Sequence, residues 1–183
     1  MFLNKRIITE QKKRNMTIMN NDYPEEMEKL DDKYLKFFND HKKFFKHIPQ
    51  TRETEKYSII DRQLTDTKNR PCAIELKTRF CNINTFDGIY IEPKKWEALQ
   101  KEYKENDKIP LYINFFYDHR NVLIFDLRPY FDRKKQVTTK YVDNIKNIGY
   151  HRTDMNQLRY ILPQRDGTYY TYDEEQDKYI KKW

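Results

Sequence analysis

Two segments rich in β-branched, aromatic and other apolar residues, 57–65 and 71–79, flank the polar run Asp66-Thr67-Lys68-Asn69-Arg70. This arrangement constrains the fold more than anything else in the chain, because two such strands around a short polar turn pair as an antiparallel hairpin. Within Cys72-Ala73-Ile74-Glu75-Leu76-Lys77 the side chains alternate. Cys72, Ile74 and Leu76 face one way, while Ala73, Glu75 and Lys77 face the other. A hairpin centred on Lys68 sets Asp61 across from Glu75, with Cβ atoms roughly 5 Å apart. Facing carboxylates on apolar strands repel unless something cationic sits with them, either Lys77 or a divalent ion.

The rest of the chain reads as a frame for that hairpin. From Asp22, ahead of Pro24 and the acidic turn Glu25-Glu26, apolar residues recur at helical spacing through Tyr23, Met27, Leu30, Tyr34, Phe37, His41, Phe44 and Ile48. The spacing predicts one long amphipathic helix, with Phe37, Phe38, Phe44 and Phe45 as packing residues. Residues 88–92 predict a third strand running into Pro93, which starts a helix carrying Trp96, Leu99 and Tyr103 and ending after Asn106. Residues 110–117 and 121–127 predict two further strands around Asp118-His119-Arg120, giving the order αβββαββ. The division expected is a basic amino-terminal arm over 1–21, a core over 22–127, and an extension over 128–183 that packs on the core. The extension offers a helix or strand around 158–162 and a tail hairpin about Asp166-Gly167.

Composition narrows the function. Three glycines, Gly88, Gly149 and Gly167, leave no Gly-rich phosphate loop, which argues against a kinase or a dinucleotide-binding enzyme. A formal charge of +7 favours polyanionic partners. The runs Lys12-Lys13-Arg14 and Arg133-Lys134-Lys135 are candidate contacts to a nucleic-acid backbone. Cys72 and Cys81 have no metal-ligand spacing and read as reduced thiols of a cytoplasmic protein. No apolar run approaches the roughly 18 residues of a membrane span.

Glu-x-Lys occurs four times, at Glu10, Glu75, Glu92 and Glu102. Only Glu75 lies on an apolar strand with an Asp on its hairpin partner. Glu92-Pro93-Lys94 reads as a helix cap, and Lys94 and Lys95, at a helix N-terminus that could bind a phosphate, read as a solvated face. Asp61 followed by Glu75-Leu76-Lys77 resembles the PD-(D/E)XK nuclease superfamily, with Ile60 in place of the proline that names the motif. The resemblance covers about residues 22–127. It implies an α/β, restriction-endonuclease-like αβββαβ core, with a mixed central sheet flanked by helices. It also implies a metal held by Asp61, Glu75 and the Leu76 carbonyl, with Lys77 assisting the attacking water and Glu26 as an added acidic residue from the first helix. Oxygen ligands with open water positions suit magnesium, with manganese as a substitute. The expected activity is magnesium-dependent endonucleolytic cleavage of DNA. The alternatives are an RNA-directed nuclease with the same site and an inactive nuclease fold kept for binding or assembly. The Tyr-rich extension could form a homodimer interface or pack on its own core.

Overall fold

A computed structural model of the chain describes residues 36–37, 40–41, 45–46, 62–66, 68–79, 81–85, 88–116, 120–142 and 157–183. The protein is mixed α/β. Its strands are β1 (Phe45–Lys46), β2 (Arg62–Asp66), β3 (Pro71–Arg79), β4 (Gly88–Ile91), β5 (Ile109–Phe116), β6 (Asn121–Asp126), β7 (Thr138–Val142), β8 (Gln157–Pro163), β9 (Thr168–Asp173) and β10 (Lys178–Lys181). Its helices are α1 (Pro93–Asn106) and the short α2 (Arg128–Phe131), and Lys36, Phe37 and Asp40 are also helical. A seven-stranded sheet runs β1-β2-β3-β5-β6-β9-β10, and a second sheet runs β4-β8-β7.

The β2–β3 hairpin has the expected register: Arg62 pairs with Ile74, Gln63 with Ala73, Leu64 with Cys72 and Thr65 with Pro71. Its turn is built by Asp66, whose Oδ1 accepts hydrogen bonds from the Lys68 and Arg70 amides at 2.9 Å each, while Asn69 takes a left-handed φ of 61°. β3 and β5 are parallel, with Glu75 beside Tyr112 and Lys77 beside Asn114. Parallel neighbours need a crossover. Here the chain leaves β3, forms β4 in the other sheet, and returns through α1.

The alternation along β3 sorts its residues as the sequence implies. Cys72 and Ile74 join Phe37, Leu111, Ile113, Phe115, Val122 and Tyr179 in one buried cluster, with Leu76 packed against it. Ala73 joins the opposite cluster with Ile89, Trp96, Leu99, Tyr112, Phe125 and Phe131. All eight residues of β5 are buried, as expected of a strand covered on both faces. α1 begins with Pro93 and ends where the Asp107 amide, at a left-handed φ of 49°, donates to the Glu102 carbonyl. Trp96 stacks on Tyr160 with ring centroids 4.6 Å apart.

Three expectations are corrected. The third strand, β4, does not join the large sheet; it pairs antiparallel with β8 in the second one. Its partner lies some 70 residues downstream, beyond any local signal. The long helix expected through Ile48 is over by Phe45, because Phe45 and Lys46 pair with Asp66 and Thr65 as β1. The tail hairpin turns between β9 and β10, not about Asp166-Gly167. Gly167 instead marks the corner between β8 and β9, where a Cβ would lie 2.7 Å from Leu123 Cδ1. Residues 168–181 thus extend the large sheet beyond β6.

Candidate functional site

The face of β3 beneath α1 carries Glu75, Lys77 and Arg79 in succession, bordered on β5 by Tyr112, Asn114 and Phe116. A polar row in this position is unusual, because the strands around it are apolar. Glu75 is only 5% exposed. Its Oε2 accepts a hydrogen bond from Lys95 Nζ of α1 at 2.7 Å. Lys77, two residues along the same face, is exposed and has no ion-pair partner among the described residues. One strand therefore offers a shielded carboxylate and an accessible ammonium side by side.

Beyond Lys77 the row becomes a closed network. Arg79 Nε donates to Asn114 Oδ1 at 2.7 Å, and Arg79 Nη2 donates to the Tyr90 carbonyl at 2.6 Å and to Tyr112 Oη at 2.9 Å. Tyr112 donates in turn to the Tyr90 carbonyl at 2.9 Å. This network ties β3 and β5 to β4, and so fastens the second sheet to the first. Burial pushes the Tyr112 hydroxyl up to about 12, with the charges of Glu75 and Glu92 adding to the effect against the opposing Arg79 guanidinium. Tyr112 is therefore a fixed hydrogen-bonding group at neutral pH and not a base. Asn114 Nδ2 is fully buried without a hydrogen-bond partner among the described residues, next to the Glu75–Lys77 pair.

The expected site residues divide as follows. Glu75 and Lys77 share one face of β3, as alternation requires. Leu76, whose carbonyl was the third expected ligand, turns its half-buried side chain to the opposite cluster. Asp61 and Glu26 lie outside the described residues, as does the Lys12-Lys13-Arg14 arm. Glu92 occupies the N-cap position of α1 without a side-chain cap, and its carboxylate pairs with Arg159 at 3.3 Å. Within the run Arg133-Lys134-Lys135, Lys134 pairs with Asp132 at 3.0 Å and Lys135 with Asp166 at 2.9 Å. His41 is buried beneath Phe37 and Tyr170.

Sequence reasoning read Lys95 as a solvated charge and missed Arg79, Tyr112 and Asn114. A signal existed for Lys95, since a lysine in the first turn of a helix opposes the helix dipole and calls for a carboxylate nearby. Arg79 and Asn114 gave no such signal, because their partners come from other strands.

Among the described residues Glu75 supplies one shielded carboxylate oxygen, the ligand type that magnesium favours, and that oxygen is paired with Lys95. Among the described residues, no group of three or more His, Cys, Asp or Glu side chains is placed to hold a metal. No helix among them is long and apolar enough to cross a membrane. Comparison of the chain with protein-family models, with characterised proteins and with solved structures finds no match.

Proposed function

We propose that the protein is a metal-dependent nuclease acting on DNA, with Glu75 and Asp61 as the metal-binding carboxylates and Lys77 as the residue that assists the attacking water. The observation that carries this reading is the pairing on β3 of a 5%-exposed Glu75 with an exposed Lys77 on the same face. The hairpin register supports Asp61 as the partner: Arg62, the next residue in sequence, pairs with Ile74, the residue before Glu75. The strand order supports a restriction-endonuclease-like core. Helical residues around Phe37 precede three consecutive antiparallel strands, β1-β2-β3, after which α1 leads to β5, parallel to β3. In this reading the three strands are β1, β2 and β3, and β4 is an insertion into the second sheet.

A bound magnesium would offset the charge of the scissile phosphate and acidify a water molecule. The protein's own part is positional. Glu75 is held in one place by burial and by Lys95. Lys77 reaches the substrate from the open side of the same strand, where its ammonium can orient the water or stabilise the growing charge on the phosphorane oxygens. The +7 formal charge supplies attraction to the polyanion without sequence selectivity. One observation favours a second reading: the Glu75–Lys95 contact already neutralises the carboxylate, as a nuclease fold kept only for binding or assembly would require.

Cleavage of labelled linear, single-stranded and four-way-junction DNA, with matching RNA, separates these readings. The expected result is cutting of DNA in magnesium or manganese, none in chelator, and none by Glu75→Ala. Binding of DNA without cutting under every metal condition would select the second reading, and cutting of RNA alone would reassign the substrate.

A further inference from the structure

The large sheet ends on β10, an edge strand that runs Lys178-Tyr179-Ile180-Lys181 and continues into Lys182-Trp183. Tyr179 is buried, while Lys178, Lys181, Lys182 and Trp183 are exposed. The ladder carries on past β10: the Lys182 amide donates to the Tyr169 carbonyl at 2.8 Å, and the Tyr169 amide donates to the Trp183 carbonyl at 3.1 Å. The Trp183 indole lies against the Tyr169 ring with centroids 4.2 Å apart, yet the residue is 54% exposed. Tyr169 pairs with Leu123 and packs against the cluster that holds Ala73 and Tyr112, so this aromatic pair is on the same side of the sheet as Glu75 and Lys77. Four strand spacings separate β3 from β10, about 19 Å across the sheet. None of the three lysines has an ion-pair partner among the described residues. The acidic turn between β9 and β10 is engaged elsewhere: Glu174 pairs with Arg120 at 2.5 Å and Asp177 with Lys36 at 2.8 Å. Asp173, opposite Lys178 in the register, accepts from the Gln176 amide at 3.0 Å.

An open sheet edge ordinarily invites another strand. Here pairing two copies of β10 would bring the lysines of both together, and like charges on an edge strand oppose that contact. A membrane surface needs a contiguous apolar face to insert, and this segment turns one ring outward, since Tyr179 is buried and Ile180 half-buried. A polyanion that carries rings fits the unpaired lysines and the open indole together. Duplex DNA keeps its bases stacked on one another, whereas a single strand leaves them free to stack on a protein aromatic. We propose that Lys178, Lys181, Lys182 and the Tyr169–Trp183 stack form a binding platform for single-stranded nucleic acid, a second contact on the substrate remote from β3. The lysines neutralise backbone phosphates, and Trp183 receives a base. Because the backbone bonds and Tyr169 hold the indole before any ligand arrives, little ordering cost opposes binding. The inference rests on the nucleic-acid substrate of the reading given above, and narrows it to a strand whose bases are exposed.

The test is titration of the full chain, in EDTA to prevent cleavage, with a fluorescein-labelled oligothymidylate, its duplex with oligoadenylate, and phosphatidylserine vesicles. Of the two tryptophans, Trp96 is 6% exposed and Trp183 54% exposed, so quenching of indole emission by the oligothymidylate reports stacking at Trp183. In fluorescence anisotropy, Trp183→Ala should weaken single-strand binding by about 5- to 150-fold, the loss of one base–aromatic stack, and Trp183→Phe should recover most of it. Replacing Lys178, Lys181 and Lys182 together by Gln should flatten the plot of log affinity against log potassium chloride by about 2 in slope. A segment that only packs on the sheet would lower thermal stability in these variants and leave affinity, quenching and salt slope unmoved. No binding of the single strand, unchanged affinity in folded Trp183→Ala, tighter binding of the duplex, or binding of the vesicles alone overturns the inference. Binding that depends on Trp183, with no cleavage in magnesium, overturns the nuclease reading instead and leaves the platform in place.

Discussion

The two faces of β3 are built from alternate residues of one nine-residue strand, yet they are held by different forces. On one face Cys72, Ile74 and Leu76 meet Phe37, Ile113 and Phe115 in a purely apolar contact, where shape and volume decide stability. On the other, Glu75 pairs with Lys95 of α1 and Arg79 is held by directed hydrogen bonds, while Lys77 between them is exposed. A single residue of offset along the chain therefore separates an apolar surface from a polar one. Polar groups on a covered face cost stability unless each is satisfied.

If this division is right, substitutions on the two faces should have opposite signatures. Phe115→Ala, which empties a fully buried aromatic site on the apolar face, should cost about 3–5 kcal/mol in urea unfolding. Any DNA cleavage should survive at temperatures where the variant stays folded. On the polar face, Lys95→Met should destabilise the protein by about 1–3 kcal/mol, because it removes the ammonium that stands 2.7 Å from the shielded Glu75 carboxylate.

A smaller effect comes from His41 on the apolar side. Burial lowers its pKa, against the hydrogen bond from its ring to the Phe37 carbonyl and the charge of Asp40. The folded state thus resists protonation that the unfolded chain accepts near pH 6.5. Stability should be constant above that pH and fall as the pH drops from there toward the folded value. His41→Phe should flatten the slope, as read from urea midpoints between pH 5 and pH 7.5. The smallest effect on stability belongs to Lys77→Ala, which should leave the melting temperature of wild type unchanged because the side chain is exposed. A large loss of stability in that variant would blur the contrast between the faces.

The hairpin and the Glu75–Lys77 pair were legible because both follow from local rules: a polar turn between apolar strands fixes register, and strand alternation fixes faces. The end of α1 after Asn106 and the burial of Trp96 were legible for the same reason. What could not be read depended on distant partners. Residues 88–92 look like a strand, but only Leu162 and its neighbours in β8 decide which sheet receives them. Phe45 continues the helical period of its neighbours, yet Asp66 and Thr65 draw it and Lys46 into strand β1. Lys95 reads as one more surface charge until the crossover of α1 brings it over Glu75. Arg79 and Asn114 illustrate the same limit, since their hydrogen bonds join strands separated by 35 positions.

The most direct test of the central claim is single-turnover cleavage of end-labelled DNA in magnesium by wild type, Asp61→Asn, Glu75→Gln and Lys77→Met, each first shown to be folded by near-ultraviolet circular dichroism. The account predicts cutting by wild type and rates lower by about 10²-fold or more in all three variants, whose common defect is chemistry and not folding. Folded Glu75→Gln and Lys77→Met proteins that cut as fast as wild type would contradict it and move the active site away from β3.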